Sequence, residues 1–343
     1  MKWYEEKTVD DGIVISSRVR LARNIKKYPF PPKISPQQCE TMIDELKGAL
    51  LNERTPLGSQ FKYVEVNKLT ANEKRGMMES HIISPVMVAK AEKCGVLIKD
   101  DETVSIMLNE EDHVRIQTIF PGENIDKAWD LADKIDNLIE ESVEYAFDEG
   151  CGYITSCPTN IGTGLRASFM IHVPALEGAR QMQNLVTALG KFGITVRGIY
   201  GEGTEAVGSI YQISNQITLG QSEDEIIKNL KNAVNFVKEQ EIRFRENLIQ
   251  NRNMDIEDDI YRAYGIVSNA RKISAKEAMA ILSKIREGFV LGILDVPKPK
   301  ETIYNVMINI QPGNMQNNFI TENNGNKRDE VRAKYLRDVF KEI

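Results

Sequence analysis

Four short segments gather residues suited to phosphate chemistry. They are SSRVR (Ser16, Ser17, Arg18, Val19, Arg20), NEEDHVR (Asn109–Arg115), CPTNIGTGLRAS (Cys157–Ser168) and RGIYGEGTEA (Arg197–Ala206). Together they carry five arginines, Arg18, Arg20, Arg115, Arg166 and Arg197, set among Glu110, Glu111, Glu202 and Cys157. A guanidinium stays charged at any physiological pH, and its planar fork grips two phosphate oxygens at once. Carboxylates among such groups suit a second, cationic ligand. An anion and a cation brought together is what a kinase acting on a guanidinium requires.

A guanidinium has a pKa above about 12 and is a poor nucleophile. An enzyme must fix its plane, align one nitrogen with the γ-phosphorus and remove a proton. Two carboxylates can fix the plane through forked hydrogen bonds. One of them, Glu111, can serve as the base. Glu202 sits in a glycine-flanked loop, which suits a lid. Next to arginines, the thiolate of Cys157 is favoured. There is no G-x-x-x-x-G-K-[ST], and GEGTEAVG has the wrong spacing for G-x-G-x-x-G, so side chains must hold the phosphates.

Periodicity indicates the elements that position these residues. Arg18 and Arg20 are two apart in the alternating run IVISSRVRLARN, so on a strand they face one way. Residues 104–108 and 114–119 alternate as paired strands, with NEEDH between them. Residues 166–173, 194–200 and 209–217 also read as strands. Helices are expected over 36–51, over 72–93 with Pro85 interrupting, and over 124–147, where Ile125, Ala128, Ala132, Ile135, Ile139, Val143 and Ala146 keep one face. A helix over 177–192 should stop at Gly193. Ser222 with Glu225 forms a capping box opening a helix to about Gln250. The polar NRNMDIEDD marks a boundary. Beyond it, Ser274 with Glu277 starts a helix, NNFITENNGN reads as a loop, and 327–343 closes the chain as a charged helix. The expected architecture is an α/β (α+β) domain with a mostly antiparallel sheet flanked by helices over 1–250, then a small all-α domain over 251–343.

Composition excludes several classes. A net charge of −6 over 343 residues argues against a nucleic-acid surface. No apolar run approaches the ~20 residues of a membrane span. The charged start MKWYEEKTVDDG lacks the apolar stretch of a signal peptide. The four cysteines form no C-x-x-C pair, and His81, His113 and His172 are dispersed, so neither disulfides nor a protein-built metal site is expected. These features read as cytoplasmic.

NEEDH and CPTN-x-GT, unbroken here as Asn109–His113 and Cys157–Thr163, are hallmarks of the phosphagen (guanidino) kinases. The chain resembles that family from about residue 13 to about residue 250, arginine order included. The resemblance implies an ATP–Mg²⁺-dependent kinase forming a phosphorus–nitrogen bond. By motif, Arg18, Arg20, Arg115, Arg166 and Arg197 hold ATP phosphates. The same nucleotide-binding segments include Ser16, Ser17, Val19, Ala167, Ser168, Phe169, Met170, Gly198, Ile199, Tyr200, Gly201 and Glu202, with His81 as a further contact. Glu111 and Glu202 hold and orient the guanidinium, Glu110 is counted with them among the catalytic carboxylates, and Cys157 sits against the substrate. Mg²⁺ is expected to bind through phosphates and water, without a protein ligand.

The departures bear on the substrate. In kinases for creatine or arginine, a helical domain precedes the SSRVR-like segment, whereas here 15 residues precede Ser16. RIQ after NEEDH, the YQISNQ-TLG segment and RDEVRA (Arg328–Ala333) are instead similar to bacterial kinases that act on arginine side chains of proteins. In that branch RDxxRA forms a phosphoarginine pocket, carried over to Arg328, Asp329, Arg332 and Ala333. Binding there could recruit marked proteins or stimulate the kinase, which marks proteins for the ClpC–ClpP protease and has an activator protein. Apolar stripes in the last 90 or so residues (Ile260, Tyr264, Val267; Ala278, Ile281, Leu282, Ile285), with the resemblance, point to a homodimer. Two alternatives stand beside this reading: a kinase for a free guanidine such as arginine, and a non-enzymatic reader of phosphoarginine.

Overall fold

The computed structural model describes residues 1–7, 12–51, 58–199, 206–250, 254–319 and 325–341. Among these, the strands are β1 (Val14–Arg23), β2 (Phe61–Glu65), β3 (Gly95–Lys99), β4 (Val104–Leu108), β5 (Val114–Pro121), β6 (Phe147–Asp148), β7 (Gly152–Tyr153), β8 (Leu165–His172), β9 (Ile194–Gly198) and β10 (Ile210–Asn215). The main sheet has the order β2-β3-β4-β5-β1-β8-β10-β9, and β6 pairs with β7 in a small hairpin. From β2 to β1 every neighbouring pair is antiparallel, as expected. Every residue of β4 is buried, so both faces of the sheet are covered there.

The chain divides into two compact units. The first comprises Met1–Trp3, Ser16–Ser168 and Ser214–Leu230. Its helices include α1 (Pro36–Leu50), α2 (Ala71–Glu79), α3 (Pro85–Ala89) and α4 (Ile125–Glu140). Capping boxes at Ser35/Gln38 and Thr70/Glu73 start α1 and α2 by satisfying first-turn amides. One core cluster packs Val66, Ile82, Ile83, Met87, Val96, Ile98 and Met107 around the buried thiol of Cys94. Arg23 is 2% exposed. Its Nε and Nη2 donate to Asp136 at 3.0 and 2.6 Å, its Nη1 donates to the Thr163 carbonyl, and its guanidinium carbon lies 3.5 Å from the centre of the Tyr153 ring. Removing one partner strands a buried charge. Asp136→Ala should therefore cost about 3–5 kcal/mol in urea unfolding.

The second unit comprises Tyr4–Ile15, Phe169–Ile213 and Lys231–Ile343. It holds α5 (Pro174–Gly178), α6 (Met182–Gly190), most of α7 (Glu223–Gln250), α8 (Met254–Asn269), α9 (Ala275–Val290), α10 (Ile303–Asn309), α11 (Pro312–Phe319) and α12 (Gly325–Lys341). No strand occurs among the described residues after 254. On α9, half-buried Glu287 has its carboxyl raised to about 7, by burial first and then by Glu241 on α7. An unfolded glutamate titrates near 4.3, so the folded state binds this proton more tightly. Stability contributed by the protonated form is full below about pH 4 and lost as pH rises towards 7. Glu287→Gln should raise the urea midpoint at pH 8 by the equivalent of about 1 kcal/mol and leave it unchanged at pH 4.

Three helix expectations are corrected. The 124–147 helix ends at Glu140. Beyond it Tyr145 bridges to Ile25, and Ala146 N–H donates to Asn24 O at 2.7 Å, so tertiary pairing overrides the helical period. The 177–192 helix is two helices, starting earlier at Pro174, with Arg180 between them at φ 57°. Glu241 fixes that early start by accepting the Ala175 and Leu176 amides. The 72–93 helix breaks at His81, φ 61°, where Ile82 N–H reaches back to Met77 O before Ser84 caps α3. At NNFITENNGN, residues 317–319 finish α11 and 325–326 begin α12, while 320–324 lie outside the described residues.

Candidate active site

The register of the sheet gathers the arginines of the first unit. Arg18 and Arg20 share a face of β1, and Arg115 on β5 stands opposite Ala22 on that same face. Arg18 Nε donates to Ser168 Oγ at 3.4 Å, which brings β8 alongside and, two residues back, Arg166. The Arg20 guanidinium is held well below its ordinary pKa, by burial first and then by Arg18, Arg115 and Arg166, with Glu110 opposing. Its buried Nε has no hydrogen-bond partner among the described residues. Concentrated positive charge with a buried N–H left open fits a bound polyphosphate. His81 lies against Trp3, ring centres 6.1 Å apart. Burial and Arg18 push its pKa down to about 3, so the imidazole is neutral.

The other residues of these strands serve the scaffold. Ser17 Oγ donates to Gly122 O and accepts from Asn124 N–H, fixing the start of α4. Ser16 is buried opposite Pro121. Val19 and Ala167 are core, and Ala167 N–H donates to Asn215 Oδ1.

NEEDH forms the connection from β4 to β5, and each of its side chains has a separate task. Asn109, at φ 56°, donates to Lys93 O at 2.7 Å and to Cys39 Sγ. Glu110 is buried and receives Ser84 Oγ, Arg115 Nη1 at 2.7 Å and the Glu111 amide at 2.8 Å. It therefore orients the arginine and the next residue. The Glu111 carboxylate is 37% exposed, beside Arg115 Nη2 at 3.4 Å, and so is open to a ligand. Asp112 accepts from Asn24 Nδ2 at 2.7 Å and from the Ser156 amide at 2.6 Å. That bond ties NEEDH to the residue before Cys157. In His113, Nδ1 accepts the Ile25 amide, so Nε2 carries the proton that goes to Pro29 O. With burial pushing its pKa down to about 4, this ring is a strut and not a base.

Cys157 is half-buried, with Sγ 3.1 Å from Thr159 Oγ1. Its loop is anchored at Thr218, which donates to the carbonyls of Thr159 and Ile161. Gly162, at φ 110°, could not be replaced, because a Cβ there would lie 2.2 Å from Thr218 O.

Other candidates belong to the second unit. Phe169 and Met170 continue β8 and are buried, Arg197 is exposed on β9, and Gly198 and Ile199 follow it. Tyr200, Gly201 and Glu202 lie outside the described residues. On α12, Arg328 is half-exposed and Ala333 is buried. Arg332 is 2% exposed, and its guanidinium donates to Ile310 O, Ile273 O and Asp329 at 2.8, 2.9 and 2.6 Å. It thus anchors α12 to the chain before α9 and to the end of α10. Arg328 and Arg332 are four apart on α12, a spacing that puts both on one helix face, yet Arg332 is buried. Asn24, Ser84 and Lys90, whose Nζ donates to Glu110 O, also shape the site, and no local signal marks them. Among the described residues no cluster of three or more histidine, cysteine or acidic side chains could hold a metal ion.

Residues 41–244 match the profile of the ATP:guanido phosphotransferase C-terminal catalytic domain. The chain therefore belongs to the ATP:guanido phosphotransferase family. Residues 253–343 match the protein-arginine kinase McsB C-terminal domain. The chain is 48% identical to the protein-arginine kinase of Caldanaerobacter subterraneus subsp. tengcongensis, over 95% of this chain and 96% of that protein. It is 41% identical to that of Brevibacillus brevis, over 99% and 95%. Among solved structures, lombricine kinase superposes with a TM-score of 0.62 at 26% identity, covering 70% of this chain and 69% of that one.

Proposed function

We propose that this enzyme transfers the γ-phosphoryl group of ATP to arginine side chains of proteins. The observation that carries the proposal is the Arg18–Arg20–Arg115–Arg166 cluster, with its open Arg20 N–H, next to the exposed Glu111 carboxylate. In this reading the cluster holds the phosphates and disperses charge on the phosphoryl group and the departing ADP. Glu111 fixes the substrate guanidinium and takes its proton, one N–H bond breaks, and the nitrogen forms the bond to phosphorus as the bond to ADP breaks. Glu110 positions Glu111 and Arg115, and neutral His81 supplies a nucleotide contact. Cys157, Glu202, Arg197 and the segments around them keep the substrate and nucleotide roles given by the resemblance. Mg²⁺, bound through phosphates and water, would neutralise phosphate charge.

Residues 1–250 are proposed as the catalytic domain. Residues 251–343 are proposed as a helical domain for dimerisation and phosphoarginine binding through Arg328, Asp329, Arg332 and Ala333. A cytoplasmic homodimer that marks proteins for ClpC–ClpP, with an activator protein, completes the reading. No helix among the described residues is long and apolar enough to cross a membrane. Because Arg332 is an anchor, the receptor is best probed at half-exposed Arg328. Arg328→Ala should weaken binding of free phosphoarginine about tenfold or more in calorimetric titration, with ATP binding retained. The function itself is tested by offering free L-arginine and an unfolded protein as rival acceptors. Transfer to the protein is expected; transfer to the free amino acid alone would contradict it.

A further inference from the structure

Resting on that reading, we propose that the cavity beside the CPTNIGT loop docks the stretch of substrate chain flanking the reacting arginine, taking one apolar and one further basic side chain. The cavity has a volume of about 400 Å³ and lies within the first unit, between the β6–β7 hairpin and the start of α7. Gly162 and Thr163 line it, at the far end of the loop that begins with Cys157. Tyr153 exchanges backbone hydrogen bonds with Gly162, and Thr218, which also lines the cavity, bonds to the carbonyls of Thr159 and Ile161, so the cavity wall is tied directly to the loop that begins with Cys157.

Two properties identify the occupant. The first is apolar exposure. Phe147 and Leu219, both lining the cavity, are 57% and 54% exposed, and Ile217 nearby is 46% exposed. A cluster of that kind beside a reaction site marks an interaction surface. A free guanidine offers nothing to cover it, whereas an extended, unfolded chain does. The second is charge. Glu223 and Glu225 line the cavity, Asp148 and Glu149 are exposed at the hairpin tip, and no basic residue is among the lining residues described. Glu225 is already engaged with the Ser222 amide, which leaves Glu223 as the carboxylate for a basic side chain. The Tyr153 phenol is raised chiefly by burial, with Asp136, Glu140 and Glu223 adding, so Glu223 is within electrostatic reach of the cavity wall.

The test uses the full chain, ATP, Mg²⁺ and two synthetic peptides with one arginine each. One peptide carries a leucine and a lysine near the arginine; the other carries serine and glutamine there. The first should show a KM lower by about tenfold, the scale of one good anchor residue. Leu219→Asp and Phe147→Ser should erase that advantage without changing the KM for ATP. Glu223→Lys should transfer the preference to a peptide with glutamate in place of the lysine. Equal KM values for the two peptides, or an advantage that survives all three substitutions, would overturn the groove while leaving the kinase reading standing. Dissociation of a self-assembled species by Leu219→Asp, seen in sedimentation with the peptide preference unchanged, would assign the surface to a second copy and overturn it too. Transfer to free arginine and to neither peptide would remove both readings.

Discussion

Glu111→Gln should lower the phosphoryl-transfer rate by about 10²–10⁴, the usual span for loss of a general base. The substitution keeps the volume and one hydrogen-bond acceptor but removes both charge and basicity. The surroundings are built to tolerate it. The Glu111 side chain is 37% exposed, and its ion pair with Arg115 is long at 3.4 Å. Its backbone amide is fixed independently, by Glu110 Oε2 at 2.8 Å. The fold and the nucleotide affinity should therefore survive, and the loss should appear in kcat. Steady-state kinetics with saturating ATP, paired with an ATP titration, separate the two. Near-normal turnover would move the base elsewhere.

Arg20→Met should have opposite effects on stability and function. The Arg20 guanidinium is disfavoured by burial and by three neighbouring arginines, and its Nε lacks a partner among the described residues. Methionine keeps an unbranched apolar stem and removes the repulsion, so the ligand-free protein should gain thermal stability. The same change removes a charge that a polyphosphate needs, and kcat/KM for ATP should fall by about 10²–10³, the scale for removing one preorganised stabilising donor. A lysine there should recover only part of the loss, because it cannot form the two-pronged contact. A variant that loses stability while keeping its ATP kinetics would show that Arg20 serves the fold alone.

Parts of this site were legible because they depend on local geometry. Period two put Arg18 and Arg20 on one face, and the unbroken motifs marked Glu111 and Cys157. The alternation on either side of NEEDH correctly placed that motif between paired strands. Other parts were not legible because they depend on register and tertiary contact. Nothing local indicates that Arg115 stands opposite Ala22, or that Asn24 links Asp112, His113 and the Ile154 carbonyl. Arg332 sits in KRDEVRAKYLR, which reads as a solvated helix, yet its guanidinium reaches two carbonyls outside α12. The early stop of α4 has the same origin, since the pairing of Tyr145 with Ile25 competes with a good helical period. Glu202 was singled out from its glycine-flanked loop and lies outside the described residues.

The central claim is that the bond formed joins phosphorus to a guanidino nitrogen of a protein. The most direct measurement incubates the enzyme with γ-labelled ATP and an unfolded protein, then divides the labelled product between mild acid and mild base. A phosphoramidate on arginine loses its label in acid and keeps it in base, and that is the expected result, abolished by Glu111→Gln. Label that survives acid, as a phosphate ester of serine would, or label that never reaches the protein, would contradict the account.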